Sequence, residues 1–127
     1  MYKVFKEQPI SRVRKGLQLL FDEAREVQSR LEEIEERGYL AGLRMPSMSM
    51  LLYWRAPEWF PPYNRRTAKF LKDFQLQRRG ESASSPQCYE RWRQHAILLS
   101  QQLGLPTAGH VDRMTWRYSE DVAGRKK

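Results

Sequence analysis

Apolar residues in the first long segment fall at Val13, Leu17, Leu20, Ala24, Val27, Leu31 and Ile34. Their spacing alternates four and three, which lines them along one stripe of a helix. Ser11 suits the N-cap, Gly38 suits the residue after the C-terminus, and Glu26–Arg30 and Glu33–Arg37 are i,i+4 pairs in the favourable order. The pattern predicts one helix over about 12–37. The same spacing fits a short coiled-coil seam. Residues 11–38 therefore read either as a helix packed on its own domain or as a face for a homodimer or a partner protein.

Gly38 and Gly42 bracket a short connector, and Pro46 can occupy the first turn of a second helix, where its missing N–H costs nothing. That helix, "SMSMLLYWRA", should stop before Pro57. Three prolines then hold "PEWFPPYN" extended. Asn64 is placed to cap a helix over about 65–76 with Ala68, Leu71 and Phe74 facing inward. "RRGESASSP" reads as a flexible linker, and Ser85 with Pro86 as the start of a helix to about 103. Its stripe is Tyr89, Trp92, Ala96, Leu99 and Leu103, and Gly104 closes it. A last short helix carries Val111, Met114 and Tyr118. No strand pattern and no internal repeat is visible, so the expected class is all-α, a small helical bundle. The expected organisation is an N-terminal extension over 1–10, one helical domain over 11–121 and a basic disordered tail over 122–127.

Composition adds boundaries. A chain of 127 residues fits one domain. Its single cysteine, Cys88, leaves no intrachain disulfide, and Cys88 with His95 and His110 is too small a set for a zinc site. No metal or other cofactor is expected. No apolar run approaches the ~20 residues of a membrane span. "MYKVFKEQPI" lacks the apolar core of a secretory signal, and the expected location is the cytoplasm.

Charge changes the picture more. The net charge is +8, unevenly spread. From Ser11 to Gly38 six basic residues face seven acidic ones, a net of −1; from Arg55 to Arg93 nine face four, a net of +5. A local excess of cations suits a polyanionic partner, because each neutralised phosphate releases condensed counterions.

"LAGLRMPSMS", Leu40 to Ser49, resembles the hairpin of helix-hairpin-helix DNA-binding proteins, in which an apolar–x–Gly–apolar–Gly turn joins two short helices. The physics of such a turn is plain. Glycine supplies the backbone freedom, and amides at the start of the second helix, aided by its dipole, hold a phosphate. The contact reads backbone, not sequence. The hairpin is expected at about 30–55. The resemblance extends over about 38–118 to the helix-hairpin-helix DNA glycosylases: a proline-bounded approach leads to Asn64, where those enzymes carry a catalytic aspartate. Their lysine nucleophile, where present, corresponds to Pro46. Tyr89, Trp92, Asp112 and Trp116 carry a weaker likeness to later helices of uncharacterised relatives. Arg44 stands where the hairpin's second glycine is usual, Asn64 has neither charge nor basicity, and one helix precedes the hairpin where several are usual. The cysteines of an iron–sulfur cluster are absent.

The resemblance thus implies DNA binding without base excision. Gly42, Leu43, Arg44 and Ser47 would make the hairpin contact, and Arg65, Arg66 and Lys69 would extend it. Two cations in a first helical turn oppose the helix dipole by about 0.3–1 kcal/mol each, a cost that a bound anion reverses. Asn64 reads first as a helix cap and second as a contact to a base or backbone. Asp112 reads first as a structural hydrogen bond or salt bridge and second as a general base. Trp54, Trp59, Phe60 and Tyr63 read as core packing or as rings that stack on bases. Met45, Met48 and Met50 read as core filler, and His95 as a surface residue. Two other classes stay open: an active or partner-completed DNA glycosylase or other repair enzyme, and a helical interaction module. DNA repair, phage defence and restriction are all settings in which such a protein would serve.

Overall fold

Buried apolar stripes meet around one aromatic centre in the computed structural model, which describes residues 9–125. Six helices make up the described chain: α1 (Ile10–Leu20), α2 (Val27–Arg37), α3 (Met45–Arg55), α4 (Arg65–Asp73), α5 (Pro86–Gln102) and α6 (Asp112–Arg125), with a 3-10 turn at Ala108–Val111 before the last. No strand occurs among the described residues. The all-α expectation holds.

The stripe predicted as one helix over 12–37 is two. The chain leaves α1 at Phe21, and Asp22 Oδ1 accepts the amide of Ala24 at 3.1 Å. Arg30, expected to pair with Glu26, turns inward instead. Its Nε donates to the carbonyl of Arg25 (2.7 Å) and its Nη1 to that of Leu20 (3.2 Å). A buried guanidinium thus satisfies one carbonyl that the end of α1 leaves open and one in the connector that follows. The fold-back lays α1 against α2, and Leu20, Val27, Leu31 and Ile34 still share one core. Periodicity alone could not report the break, because both helices bury the same kind of stripe. Ser11 lies inside α1, whose N-cap is Pro9. Glu33–Arg37 forms as expected (3.0 Å), with Glu33 also bonded to Arg25.

Trp92, Tyr89 and Ala96 of α5 are fully buried, and α2 and the 3-10 turn pack against that helix. Ser85 accepts the amide of Cys88 (3.1 Å), and Pro86 sits in the first turn, as expected. Gly104 takes the left-handed φ of 67° that ends the helix. Leu103 does not follow the stripe inward and is exposed.

Between α3 and α4 the segment expected to be extended first turns over 57–59, where the amides of Trp59 and Phe60 close on Ala56 O (both 3.1 Å), and only Pro61–Tyr63 is buried. Gly109 and Ala108 donate to the carbonyls of Pro57 and Glu58 (3.1 and 3.3 Å). The Tyr89 hydroxyl donates to Pro61 O (3.1 Å) and Trp92 Nε1 to Pro62 O (3.3 Å). Ser49, fully buried on α3, accepts the amide of Tyr63 (2.8 Å). Buried backbone groups need partners, and the segment holds its place because it has them. Tyr63 is core, Phe60 is half-buried, and Trp54 and Trp59 lie exposed. The reading of all four aromatics as core therefore fails for the two tryptophans, whose positions at the end of α3 and in the following turn face away from the interior.

α4 is shorter than expected and ends at Asp73. Phe74 is exposed rather than inward, though its ring still contacts Phe70 (4.6 Å between centroids) and Tyr118 (5.2 Å). The stretch read as a flexible linker is tied down. Arg91 on α5 holds the Glu81 carboxylate through two bonds (2.6 and 2.9 Å), and Tyr63 donates its hydroxyl to Ala83 O. The last helix runs on to Arg125, into the stretch 122–127 expected as a disordered tail, and residues 126–127 lie outside the described residues. Most of the expected N-terminal extension, residues 1–8, lies outside them too.

Candidate nucleic-acid interface

Residues 38–44 form the bend between α2 and α3, and three of them have positive φ: Gly38 at 66°, Leu40 at 54° and Gly42 at 96°. For Leu40 the left-handed region is costly, roughly 1–2 kcal/mol. Burial holds it there. Leu40 is fully buried against Gly16 of α1, where an added Cβ would lie 2.6 Å from the leucine Cγ. A glycine in mid-helix thus makes room for the strained residue that shapes the bend.

The predicted hairpin residues divide in role. Gly42 and Arg44 are exposed, and Ser47 is half-buried in the first turn of α3. Leu43 is buried, and its amide closes the turn on Leu40 O at 2.9 Å, so it shapes the bend without facing outward. Arg44 is the N-cap residue, and no side chain caps α3. With Pro46 lacking an N–H, the amides of Met45 and Ser47 are the first-turn donors left without an intrahelical acceptor. Met45 and Met48 are core, as expected. A cleft of about 380 Å³ lies beside the bend, walled by Tyr39, Leu40, Arg44 and Met48 and, across it, by Ser84 and Pro86.

Asn64 is the N-cap of α4, as its position predicted. Its Oδ1 accepts the amides of Arg66 (2.9 Å) and Thr67 (3.2 Å), and Thr67 Oγ1 accepts the amide of Asn64 (3.3 Å) in return. The two arginines that follow part company. Arg65 is exposed on the same α4 face as Lys69, one turn on. Arg66 turns away from it, its Nη2 3.7 Å from Asp112 Oδ2 and its guanidinium 4.5 Å from the ring centre of Trp116. Its Nε is buried with no hydrogen-bond partner. Lys69 is ion-paired with Asp73 (3.1 Å).

Asn64 and Asp112, read separately in the sequence, meet. Asn64 Nδ2 donates to Asp112 Oδ1 at 3.3 Å, and Thr115 Oγ1 lies 3.3 Å from that same oxygen. Asn64 and Asp112 border a small cleft of about 340 Å³ with Tyr53, His110 and Arg113. His110 Nδ1 is 2.7 Å from Thr107 Oγ1. Asp112 thus has an amide, a hydroxyl and a guanidinium around it, a set that fixes α6 onto α4. His95 is half-buried on α5.

Lys72, like Arg78 and Arg79 in the loop that follows, escaped the sequence reading. Lys72 lies seven residues after Arg65, so Arg65, Lys69 and Lys72 share one face of α4. The i, i+4, i+7 spacing was the available signal. Among the described residues no group of acidic, histidine and cysteine side chains could hold a metal ion, and no described helix is long and apolar enough to cross a membrane. No protein-family model, no curated protein and no solved structure matches this chain.

Proposed function

We propose that this chain binds DNA through the sugar–phosphate backbone, without reading base sequence, as a divergent relative of the helix-hairpin-helix DNA glycosylases that has lost base excision. The observation that carries the reading is the bend at 38–44, exposed at Ala41, Gly42 and Arg44, strained at Leu40 and leading into a helix that no side chain caps. Open amides, the positive end of a helix dipole and one long cation suit a phosphate oxygen. Arg65 and Lys69 supply a second cationic surface on α4. Excision is not expected, because Asn64 offers an amide at the position of the catalytic aspartate. The carboxylate against it among the described residues, Asp112, is held by Arg66 and Thr115.

Binding isotherms on short duplexes at several salt concentrations test this. Affinity should fall steeply with salt and be equal on unrelated sequences. Each lost phosphate contact should lower the logarithmic slope by about 0.9, so Arg44→Ala should show one such step. Undetectable or salt-independent binding by the wild type removes the reading, and so does release of bases from damaged duplexes as far as the lost excision is concerned.

The interaction-module reading has one observation in its favour. Ile10 is 74% exposed and, with Leu17 and Phe21, borders an apolar groove on α1 flanked by Arg14 and Arg55. Light scattering that finds a dimer dispersed by Ile10→Asp supports it, and a monomer unchanged by that substitution removes self-association.

A further inference from the structure

The second basic surface is a groove. It lies between α4 and the following loop, has a volume of about 790 Å³, and is bordered by Lys69, Lys72, Arg78 and Arg79 with Asp73 and Glu81. Both carboxylates are already committed. Asp73 takes Lys69 Nζ (3.1 Å) and the Tyr118 hydroxyl (2.7 Å), and Glu81 is held through two bonds by Arg91 from outside the groove. None of Lys72, Arg78 and Arg79 is in an ion pair among the described residues. The groove thus carries four cations against two carboxylates, and Lys72, Arg78 and Arg79 reach it without a salt bridge of their own, although the charges of Asp73 and Glu81 are felt by Lys72 and Arg78.

The groove is also built. Gln75, on its wall, is held at φ 59°, a conformation rare outside glycine. Leu76 N bonds back to Leu71 O (2.8 Å), and Gln77 Nε2 reaches Glu81 O (2.7 Å). These bonds bring Arg78 and Arg79, both exposed, to the same groove as Lys72 despite the mutual repulsion of their charges. The same loop then passes along the hairpin cleft: Ala83 borders the groove, and Ser84 and Pro86 border the cleft.

We infer that this groove is a second phosphodiester site, in which Lys72, Arg78 and Arg79 hold a stretch of DNA backbone next to the one held at the bend. The inference rests on the DNA-binding reading and deepens it. The protein would engage two backbone segments, one by main-chain amides and one by side-chain charge.

The test compares salt-dependent DNA binding by the full chain, by Lys72→Ala/Arg78→Ala/Arg79→Ala, by Arg44→Ala and by the charge-matched control Arg14→Ala/Lys15→Ala/Arg117→Ala. All substituted residues are exposed, so folding is checked simply by helical circular dichroism. The groove variant should lose about two to three slope steps of 0.9 each and bind at least tenfold more weakly at moderate salt. The control should lose at most one step. Equal losses in groove and control variants overturn the groove site while leaving the bend reading intact. A groove loss with no change in Arg44→Ala keeps the groove and overturns the bend. Wild type that ignores DNA but binds inorganic polyphosphate, with that binding lost in the groove variant, keeps an anion groove and removes DNA as its ligand. Wild type that binds neither overturns both.

Discussion

Single side chains hold the bend and the proline segment in place. Ser49 is the sole side chain offered to the buried amide of Tyr63, and it also donates to Pro46 O at 2.9 Å. Ser49→Ala orphans that amide, and the expected cost is about 1–3 kcal/mol, read from thermal or denaturant unfolding. Gly16→Ala drives a methyl into Leu40, and crowding of this kind costs about 1–3 kcal/mol. If the strained bend is the phosphate site, DNA affinity should fall further than global stability explains. Gly16 could not be singled out in the sequence, because its reason is a residue 24 positions away in the chain (40 − 16) that packs onto it. Asn64 and Ser85 were legible as caps because capping is local chemistry. The contact of Asn64 with Asp112 joins residues 48 apart, and nothing in the sequence announces it.

At the scale of elements, the link from α4 to α6 gives a sharp test at Asn64. Asn64→Ala loses the cap and the bond to Asp112, for about 1–2 kcal/mol. Asn64→Asp keeps the cap but sets a second carboxylate against Asp112. The repulsion should cost about 1–3 kcal/mol at neutral pH, between the limits for two near charges in water and at a protein surface. One of the two carboxyls then has a raised pKa in the folded state, so stability should recover as pH falls through the carboxylate range. Unfolding curves across pH separate the two variants, and a pH-independent deficit in Asn64→Asp would refute the repulsion. The loop after α4 behaves oppositely. The bonds from Arg91 hold Glu81 below the usual glutamate range. A depressed folded pKa gives stability that is complete above the ordinary glutamate value and is lost as pH falls through the lower folded one. Amide protection over residues 74–85, taken relative to the intrinsic exchange rate at each pH, should fall with acid in that window, and Glu81→Gln should remove that fall. That loop was read as flexible because glycine, serine and charge dominate it. What orders it is a partner on α5, beyond the reach of local composition.

For the whole molecule, helical periodicity gave the class and most elements, since α2, α4 and α5 each bury the stripe that the spacing predicted at least in part, while α3 was placed by its flanking prolines. It failed where two helices shared one stripe, at Phe21–Glu26, and at helix ends, where Phe74 and Leu103 stay outside. Charge was legible as an excess but not as a place. Adjacent Arg65 and Arg66 serve different surfaces, and Lys72, Arg78 and Arg79 gather only after the chain turns back at Gln75. A protein that holds backbone at a bend and in a groove should show a larger salt slope than either set of contacts accounts for alone. Isotherms of the wild type, each single-site variant and their combination check this, with additive slope losses as the expected outcome.

The proline segment between α3 and α4 has one more consequence. Pro57, Pro61 and Pro62 have no N–H, and the amides of Trp59, Phe60, Tyr63 and Asn64 are all taken within the molecule. An extended strand normally tempts a neighbouring chain to add itself along the open edge. This one has no amide from those positions to offer, so the turn over 57–59 and the short buried run Pro61–Tyr63 leave no edge there on which a neighbouring chain could add itself.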